Sequence, residues 1–495
     1  MSAPAEHELA KPLARVLAAS VAGFKSLTQV ERLSGGASQE TYRLTLDTEA
    51  GQLLLAMRRA PGGGLSAEDE EERPEHYPGL DVEARLMQAA AAAGVPEPEI
   101  VHVLREDDGI GEGFIMQWLE GEALGARIAR APAFAGLREH LAYDCGRMLA
   151  QIHAIDLDAT GLRDDLALTS PAEFVEQTWE RYRAFPTPQP MIDYTARWLL
   201  ENLPADPTPA LVHNDFRNGN VMVNEQEVVA VLDWEIAHIG DPMRDLGWIC
   251  TNSWRFGMAE LPVGGFGRRE DLFRGYQDES GVPVNPDRVK FWEVFGSFWW
   301  SVGCLGMAEH YRNGPDQTVE RPGIGRRSSE CQVDCANLII PGAVSLIDER
   351  LLTPVVKPGP GDGEGYQMPQ LDELLLSVRD FLRTEVMTET TGRTQFLARV
   401  AANSLDIVDR EVRVGPQLQA QETAELKALG FNAATDNDLA QLRWQLVNAL
   451  RDGSQTLDDD GLKAYLRNST VNQLAIDQPR YSGLKVALSN TVGAD

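Results

Sequence analysis

Residues 211–223, LVHNDFRNGNVMV, constrain this chain more than any other stretch. Polar residues, among them His213, Asp215 and Asn220, sit between two short apolar runs, and the segment EVVAVLDWE follows after the turn residues NEQE. Two β-prone runs joined by a short polar turn read as a hairpin. That hairpin returns Asp233, at the end of VVAVLD, to the neighbourhood of Asn220. Asp215 and Asn220 are five residues apart, so one irregular loop can aim both side chains into one cleft.

One amide oxygen and one carboxylate then become available to a hard cation such as Mg²⁺. Asp215 stays free to orient and deprotonate a hydroxyl, which is the division of labour that phosphoryl transfer from Mg·ATP requires. The plain alternative is a connector of ordinary turn residues. A single His-x-Asp would not displace it, but four residues at this spacing in a strand–loop–strand context do.

Upstream, residues 27–118 read as mostly strand with one helix. QETYRLTLD and QLLLAMRR are consecutive strands around a turn at Ala50 and Gly51. A Gly-, Pro- and acid-rich loop follows, then the helix VEARLMQAAAAAG, with Asp81 as its expected cap and Gly94 as its stop. EIVHVL and GFIMQWL supply two further strands. From Gly121 onward the apolar spacing becomes helical, through LREHLAYDCGRMLAQIHAID, REDLFRGYQDESG, a tryptophan-rich core segment and SECQVDCANLIIPGAVSLIDER. Pro and Gly dominate residues 354–369, the clearest linker, and helical stripes resume beyond it.

A formal net charge of −30 repels phosphate backbones and anionic lipid, so neither nucleic acid nor a membrane is an expected partner. The most apolar stretch, residues 294–308, is too short to span a bilayer and reads as a buried helix. Cys145, Cys250, Cys304, Cys331 and Cys335 are scattered and set mostly in apolar segments, as reduced thiols of a cytoplasmic protein are. Cys331 and Cys335 lie one helical turn apart, with no second Cys/His pair nearby to complete a zinc site.

HNDFRNGN followed by VLDWE resembles the H-x-D-x-x-x-x-N loop and metal-binding aspartate of the aminoglycoside phosphotransferase family, relatives of protein kinases. The resemblance implies an α+β, bilobal protein-kinase-like fold with an appended all-α C-terminal domain. It divides the chain into an N-lobe (1–120), a C-lobe (121–353), a linker (354–370) and a helical domain (371–495). Asp215 becomes the catalytic base, Asn220 and Asp233 the Mg²⁺ ligands, and His213 a loop-bracing residue. Asp241 and Asp245, in GDPMRDLG, fall in a supporting segment, with Asp245 expected to hydrogen-bond the loop. The N-lobe would cradle ATP through Gly35, Gly36 and Ser38 in LSGGASQETY. Arg58 stands where many relatives have lysine, paired with Glu83, and Arg59 is its rival. The backbone near Gln117 would meet adenine.

Residues 1–355 are most similar to the branch whose kinase domains occur with acyl-CoA dehydrogenases, through LSGGASQETY, MRRAPGG and GIGRRSSE. The C-terminal helices resemble a small helical family found as a separate partner of such kinases. A kinase with this partner is the composition of bacterial 4-hydroxyacyl-CoA kinases, so the resemblance implies a CoA-linked hydroxyl as acceptor. The alternatives are an amino alcohol or aminoglycoside acceptor, or a catalytically idle scaffold. Arg326 and Arg327, at the start of a helix, are the cations expected to meet a CoA substrate. Arg255, Arg268 and Arg269 are further candidates.

Overall fold

The computed structural model describes residues 3–33, 39–64, 77–205, 207–353, 368–433 and 438–489. Internal contacts divide the chain into two compact units. Residues 1–171, 204–250 and 254–292 form the first, and residues 172–203, 251–253 and 293–495 form the second.

In the first unit, β1 (Phe24–Arg32), β2 (Glu40–Thr48), β3 (Gly51–Arg59), β4 (Ile100–Val103) and β5 (Gly113–Gln117) make an antiparallel sheet of order β1-β2-β3-β5-β4. β2 and β3 pair without slip, from Glu40 opposite Arg59 to Thr48 opposite Gly51. Alternation puts Tyr42, Leu44 and Leu46 of β2 and Leu55 and Met57 of β3 into one buried layer. Helix α1 (Ala3–Ser20), which the sequence reading did not anticipate, supplies Leu9, Leu13, Val16 and Leu17 to the same layer at helical spacing. Burying each such side chain contributes about 1.5–3 kcal/mol.

Helix α2 (Leu80–Ala92) lies between β3 and β4 in the chain. Its N-cap is Gly79, not Asp81, which stands in the first turn and meets the positive helix end instead. Gly94, at φ 94°, follows the helix stop, a left-handed position that glycine occupies without a Cβ clash. Further along come α3 (Leu141–His153), the strand pair β6 (Ala210–Val212) with β9 (His238–Gly240), and the hairpin β7 (Val221–Val223) with β8 (Val228–Val231).

Four more helices matter below: α4 (Pro190–Glu201), α5 (Met243–Cys250), α6 (Arg269–Ser280) and α7 (Pro286–Asn313). The tryptophan-rich segment lies in α7, with Phe295 and Phe298 buried. Among the described residues no helix is long and apolar enough to cross a membrane.

The second unit holds α4, most of α7, α8 (Ser328–Ile339), α9 (Leu371–Phe381), α10 (Gly392–Ala428), α11 (Leu439–Arg451), α12 (Asp460–Asp477) and α13 (Ser482–Ser489). A single helix expected over residues 329–350 stops at Ile339, because Pro341 has no N–H to donate and Gly342 turns the chain at φ 129°. The core of this unit joins Val333 of α8 and Leu351 to Val414, Leu418, Val471, Leu474 and Leu484 from the C-terminal helices. Apart from that core, a partly open cavity of about 540 Å³ lies in this unit, with Met191, Leu305, Arg326, Arg443, Tyr465 and Gln473 among its lining residues.

Candidate active site

The hairpin brings the polar loop and Asp233 together. The backbone N–H of Leu232 donates to the Asn220 carbonyl at 2.8 Å, which fixes the residue beside Asp233 against the loop. The Nδ2 group of Asn220 donates to both the carbonyl (3.0 Å) and Oδ2 (2.6 Å) of Asp215. That commits the nitrogen inward and leaves the amide oxygen free as an acceptor. Asn214 and Asp233 both have positive φ, 68° and 71°, and are residue types whose short polar side chains tolerate that conformation.

The loop hangs from one buried carboxylate on α5. Asp245 accepts from the backbone N–H groups of His213 (2.9 Å) and Asn214 (2.8 Å), and from Nε2 of His153 on α3 at 3.1 Å. Burial alone would raise the Asp245 pKa, but His153 and these donors reverse the sign, holding it below the usual carboxylate range. The His213 ring receives the Asp215 N–H at Nδ1 (3.3 Å) and donates from Nε2 to the Leu232 carbonyl (3.1 Å), which assigns the neutral tautomer with its proton on Nε2. Burial, which disfavours the charged imidazolium, lowers its pKa. A neutral, two-sided brace is what this geometry describes, not a proton shuttle.

Asp241 is engaged elsewhere. It accepts from Met243 N (2.9 Å), from Arg288 Nε (2.7 Å) and from the Trp292 indole (2.8 Å), so it ties the start of α7 to the turn before α5. The expectation that Asp241 supports the loop is corrected: the hydrogen bonds to the loop backbone go to Asp245.

In the strand-rich lobe, Arg58 reaches Glu83 Oε1 of α2 at 2.6 Å, Asp233 Oδ1 at 3.0 Å and Gln39 Oε1 at 2.8 Å, with Glu235 at 3.9 Å. Arg59 points to the other side of β3, to the Ile110 carbonyl (2.6 Å) and Glu40 (3.1 Å). Alternation along the strand therefore selects Arg58 over its neighbour. Glu83 is fully buried, and burial, opposed by Arg58 but reinforced by Asp233 and Glu235, pushes its carboxyl up to about 7. Burial alone would lower the Arg58 pKa, but the three acids raise it overall. Nearby, the partly buried Glu97 accepts from the indole of Trp234, and desolvation of its carboxyl raises its pKa.

Asp215 also has neighbours that sequence reading missed. The Trp248 indole donates to Oδ1 at 2.7 Å and Arg217 Nε to the same oxygen at 2.9 Å. Trp248 sits on α5 and is 1% exposed. The Arg217 guanidinium lies over the Trp254 ring at 4.2 Å, and Arg244 lies over the Trp248 ring at 4.7 Å. Arg217 stood in the opening motif and could have been found there. Trp248, 33 residues after Asp215 in the chain, carries no local signal.

Gly35, Gly36 and Ser38 lie outside the described residues. Gln117 ends β5, and its backbone N–H donates to the Glu99 carbonyl at 2.8 Å. Arg326 and Arg327 belong to the second unit, and their guanidinium groups are already paired. Arg326 reaches Asp477 at 2.8 Å and also pairs with Glu411, while Arg327 reaches Glu330 at 3.1 Å. An anion binding there would have to compete with these carboxylates.

A strand-rich lobe carrying an Arg–Glu pair, followed by a hairpin presenting Asp215, Asn220 and Asp233, defines a phosphotransferase of the kinase-like type. Residues 29–282 match the family model described as the phosphotransferase enzyme family (APH), about half of the chain, and the chain belongs to that family of enzymes, which phosphorylate hydroxyl groups. Residues 388–481 match a second model, described as a domain of unknown function (DUF6285).

A solved Ralstonia eutropha structure, provisionally described as an aminoglycoside phosphotransferase, is 25% identical with a TM-score of 0.53, covering 65% of this chain and 95% of that one. Acyl-CoA dehydrogenase family member 10 of Mus musculus is 29% identical over 59% of this chain. Acyl-CoA dehydrogenase family member 11 of Gallus gallus is 26% identical over 75% of it. The alignments span only 27% and 47% of these two relatives' own lengths.

Proposed function

We propose that this chain is an ATP- and Mg²⁺-dependent kinase that phosphorylates the hydroxyl of a 4-hydroxyacyl-CoA. The kinase part rests on one observation: Asp215, Asn220 and Asp233 converge on a single loop and hairpin, with Asn220 tying Asp215 in place. The free amide oxygen of Asn220 and the partly exposed carboxylate of Asp233 are hard oxygen donors of the kind Mg²⁺ takes. When bound, the ion would offset the negative charge of the triphosphate.

The chain's own residues supply the rest. Asp215 accepts the proton of the acceptor hydroxyl; that oxygen bonds to the γ-phosphorus as the bond to the β–γ bridging oxygen breaks, and ADP leaves. Arg58, held by Glu83, presents a guanidinium to the phosphates. The acyl-CoA part is supported by the names of the two relatives and by the second matched segment. An aminoglycoside or amino alcohol acceptor is the competing reading, favoured by the Ralstonia neighbour and the acidic chain.

ADP release measured over a 4-hydroxyacyl-CoA, choline and kanamycin separates the acceptors. Turnover at least tenfold higher with the CoA thioester is expected, and preference for either cationic alcohol would overturn the acceptor assignment. Asp215→Asn should lose at least a hundredfold in kcat with nucleotide binding retained, whereas near-normal turnover would remove Asp215 as base.

A further inference from the structure

The carboxylate of Asp215 offers about four acceptor positions, two on each oxygen. Three are filled. Oδ1 takes the Trp248 indole at 2.7 Å and Arg217 Nε at 2.9 Å, and Oδ2 takes Asn220 Nδ2 at 2.6 Å. Among the described residues nothing fills the fourth position, on Oδ2.

Both donors to Oδ1 are themselves held. The Trp248 ring is buried, meets the Trp254 ring edge-on at 5.1 Å and 69°, and has the Arg244 guanidinium over it at 4.7 Å. Arg217 lies over Trp254 at 4.2 Å, and its Nη1 donates to the Asn218 carbonyl at 2.9 Å. Trp254 thus packs against both members of the pair.

We propose that Trp248 is a positioning residue for phosphoryl transfer. Together with Arg217 it saturates Oδ1 of Asp215, stops the carboxylate from turning, and leaves the open position on Oδ2 as the one that receives the acceptor's proton. This rests on the reading of Asp215 as the base. The hydroxyl proton moves to Oδ2, the hydroxyl oxygen bonds to the γ-phosphorus, the β–γ bridging oxygen leaves on ADP, and Asp215 later returns the proton to solvent. Trp248 touches no reacting atom and acts through Asp215 alone.

Trp248→Phe keeps the buried ring and removes only the donor. With a 4-hydroxyacyl-CoA as acceptor, kcat should fall about tenfold to a hundredfold, as a misaimed base costs. The KM for ATP should stay within about twofold of the parent value, a split that general loosening of the lobe would not give. Arg217→Gln should also lower kcat, and the double variant should lose less than the product of the two single losses, since both donors restrain one oxygen.

An independent readout needs no turnover. The indole N–H resonance of Trp248, assigned by its disappearance in Trp248→Phe, should move upfield in Asp215→Ala as its charged acceptor is removed. An indole resonance indifferent to Asp215→Ala, or a Trp248→Phe enzyme with parental kcat, would overturn the proposal. The resonance decides the clamp even if Asp215→Asn remains active, so the base assignment and the clamp fail separately.

Discussion

Arg58 faces three carboxylates at once, Glu83 at 2.6 Å, Asp233 at 3.0 Å and Glu235 at 3.9 Å, and shares one charge among them. Glu83 has the least access to water, so its ionisation is the costly one, and its carboxyl stands at about 7 rather than 4.5. A carboxyl whose pKa is raised on folding makes the folded state the better proton binder. Stability is then lost as pH rises from the unfolded value through the folded one. In metal-free protein the wild type should lose roughly 3 kcal/mol relative to Glu83→Gln between about pH 4.5 and pH 8, read by urea denaturation at each pH. A constant difference between the two would refute the raised carboxyl. Arg58 was legible through the resemblance, at the position where many relatives have lysine, and the structure then turns its rival Arg59 to the opposite face of the strand. Trp248 was illegible because its partner is remote in the chain, and no pattern around LGWIC marks an indole aimed at a carboxylate.

At the scale of elements, the loop is held by a side chain from the following helix rather than by its own turn chemistry. Asp245 takes two consecutive backbone N–H groups, those of His213 and Asn214, and the His153 ring. Asp245→Asn exchanges one acceptor oxygen for an NH₂ that must face an N–H, leaving a buried donor unpaired. A loss of about 2–4 kcal/mol in urea-derived stability is expected. The kcat should fall as well, because the backbone of Asp215 follows directly. Parental stability and kcat would show that the loop is held otherwise. Because the Asp245 pKa is lowered on folding, its contribution is present above the ordinary carboxylate pKa and disappears as pH falls through the folded value. The hairpin β7–β8 could be read from sequence because apolar runs and turn residues are local signals. The early end of α8 was missed because the apolar pattern continues past Pro341, although its ring cannot. Helix α1 was missed because a segment of mixed acids and bases shows its apolar stripe only once the sheet face it covers is known.

At the scale of the molecule, composition changes sharply near residue 354, and that change suggested a kinase ending there and a separate helical domain beginning beyond it. Contacts group the chain differently, since residues 172–203 and 293–353 share the second unit with the C-terminal helices. Sequence composition reports where the backbone loses periodicity; which apolar faces cover each other is a long-range matter it does not record. Val333 and Leu351 are buried against Val471, Leu474 and Leu484, and Asp193 of α4, also buried, is paired with Arg451 of α11 at 2.7 Å. Arg467 of α12 donates to Asn337 at 2.9 Å, and Asn472 accepts from the backbone of Ile347 at 2.8 Å. Ending the chain at residue 353 would therefore bare a core layer and leave Asp193 without its cation. Uncovering each large apolar side chain costs about 1.5–3 kcal/mol, and removing one partner of a buried ion pair about 3–5 kcal/mol. A few such losses reach the whole stability of a typical domain, about 5–15 kcal/mol. The fragment 1–353 should aggregate on expression or melt well below the full chain in calorimetry, and co-expressing residues 368–495 as a separate chain should restore solubility. A soluble 1–353 fragment melting at the full-chain temperature would show that the composition boundary, and not the shared core, divides this protein.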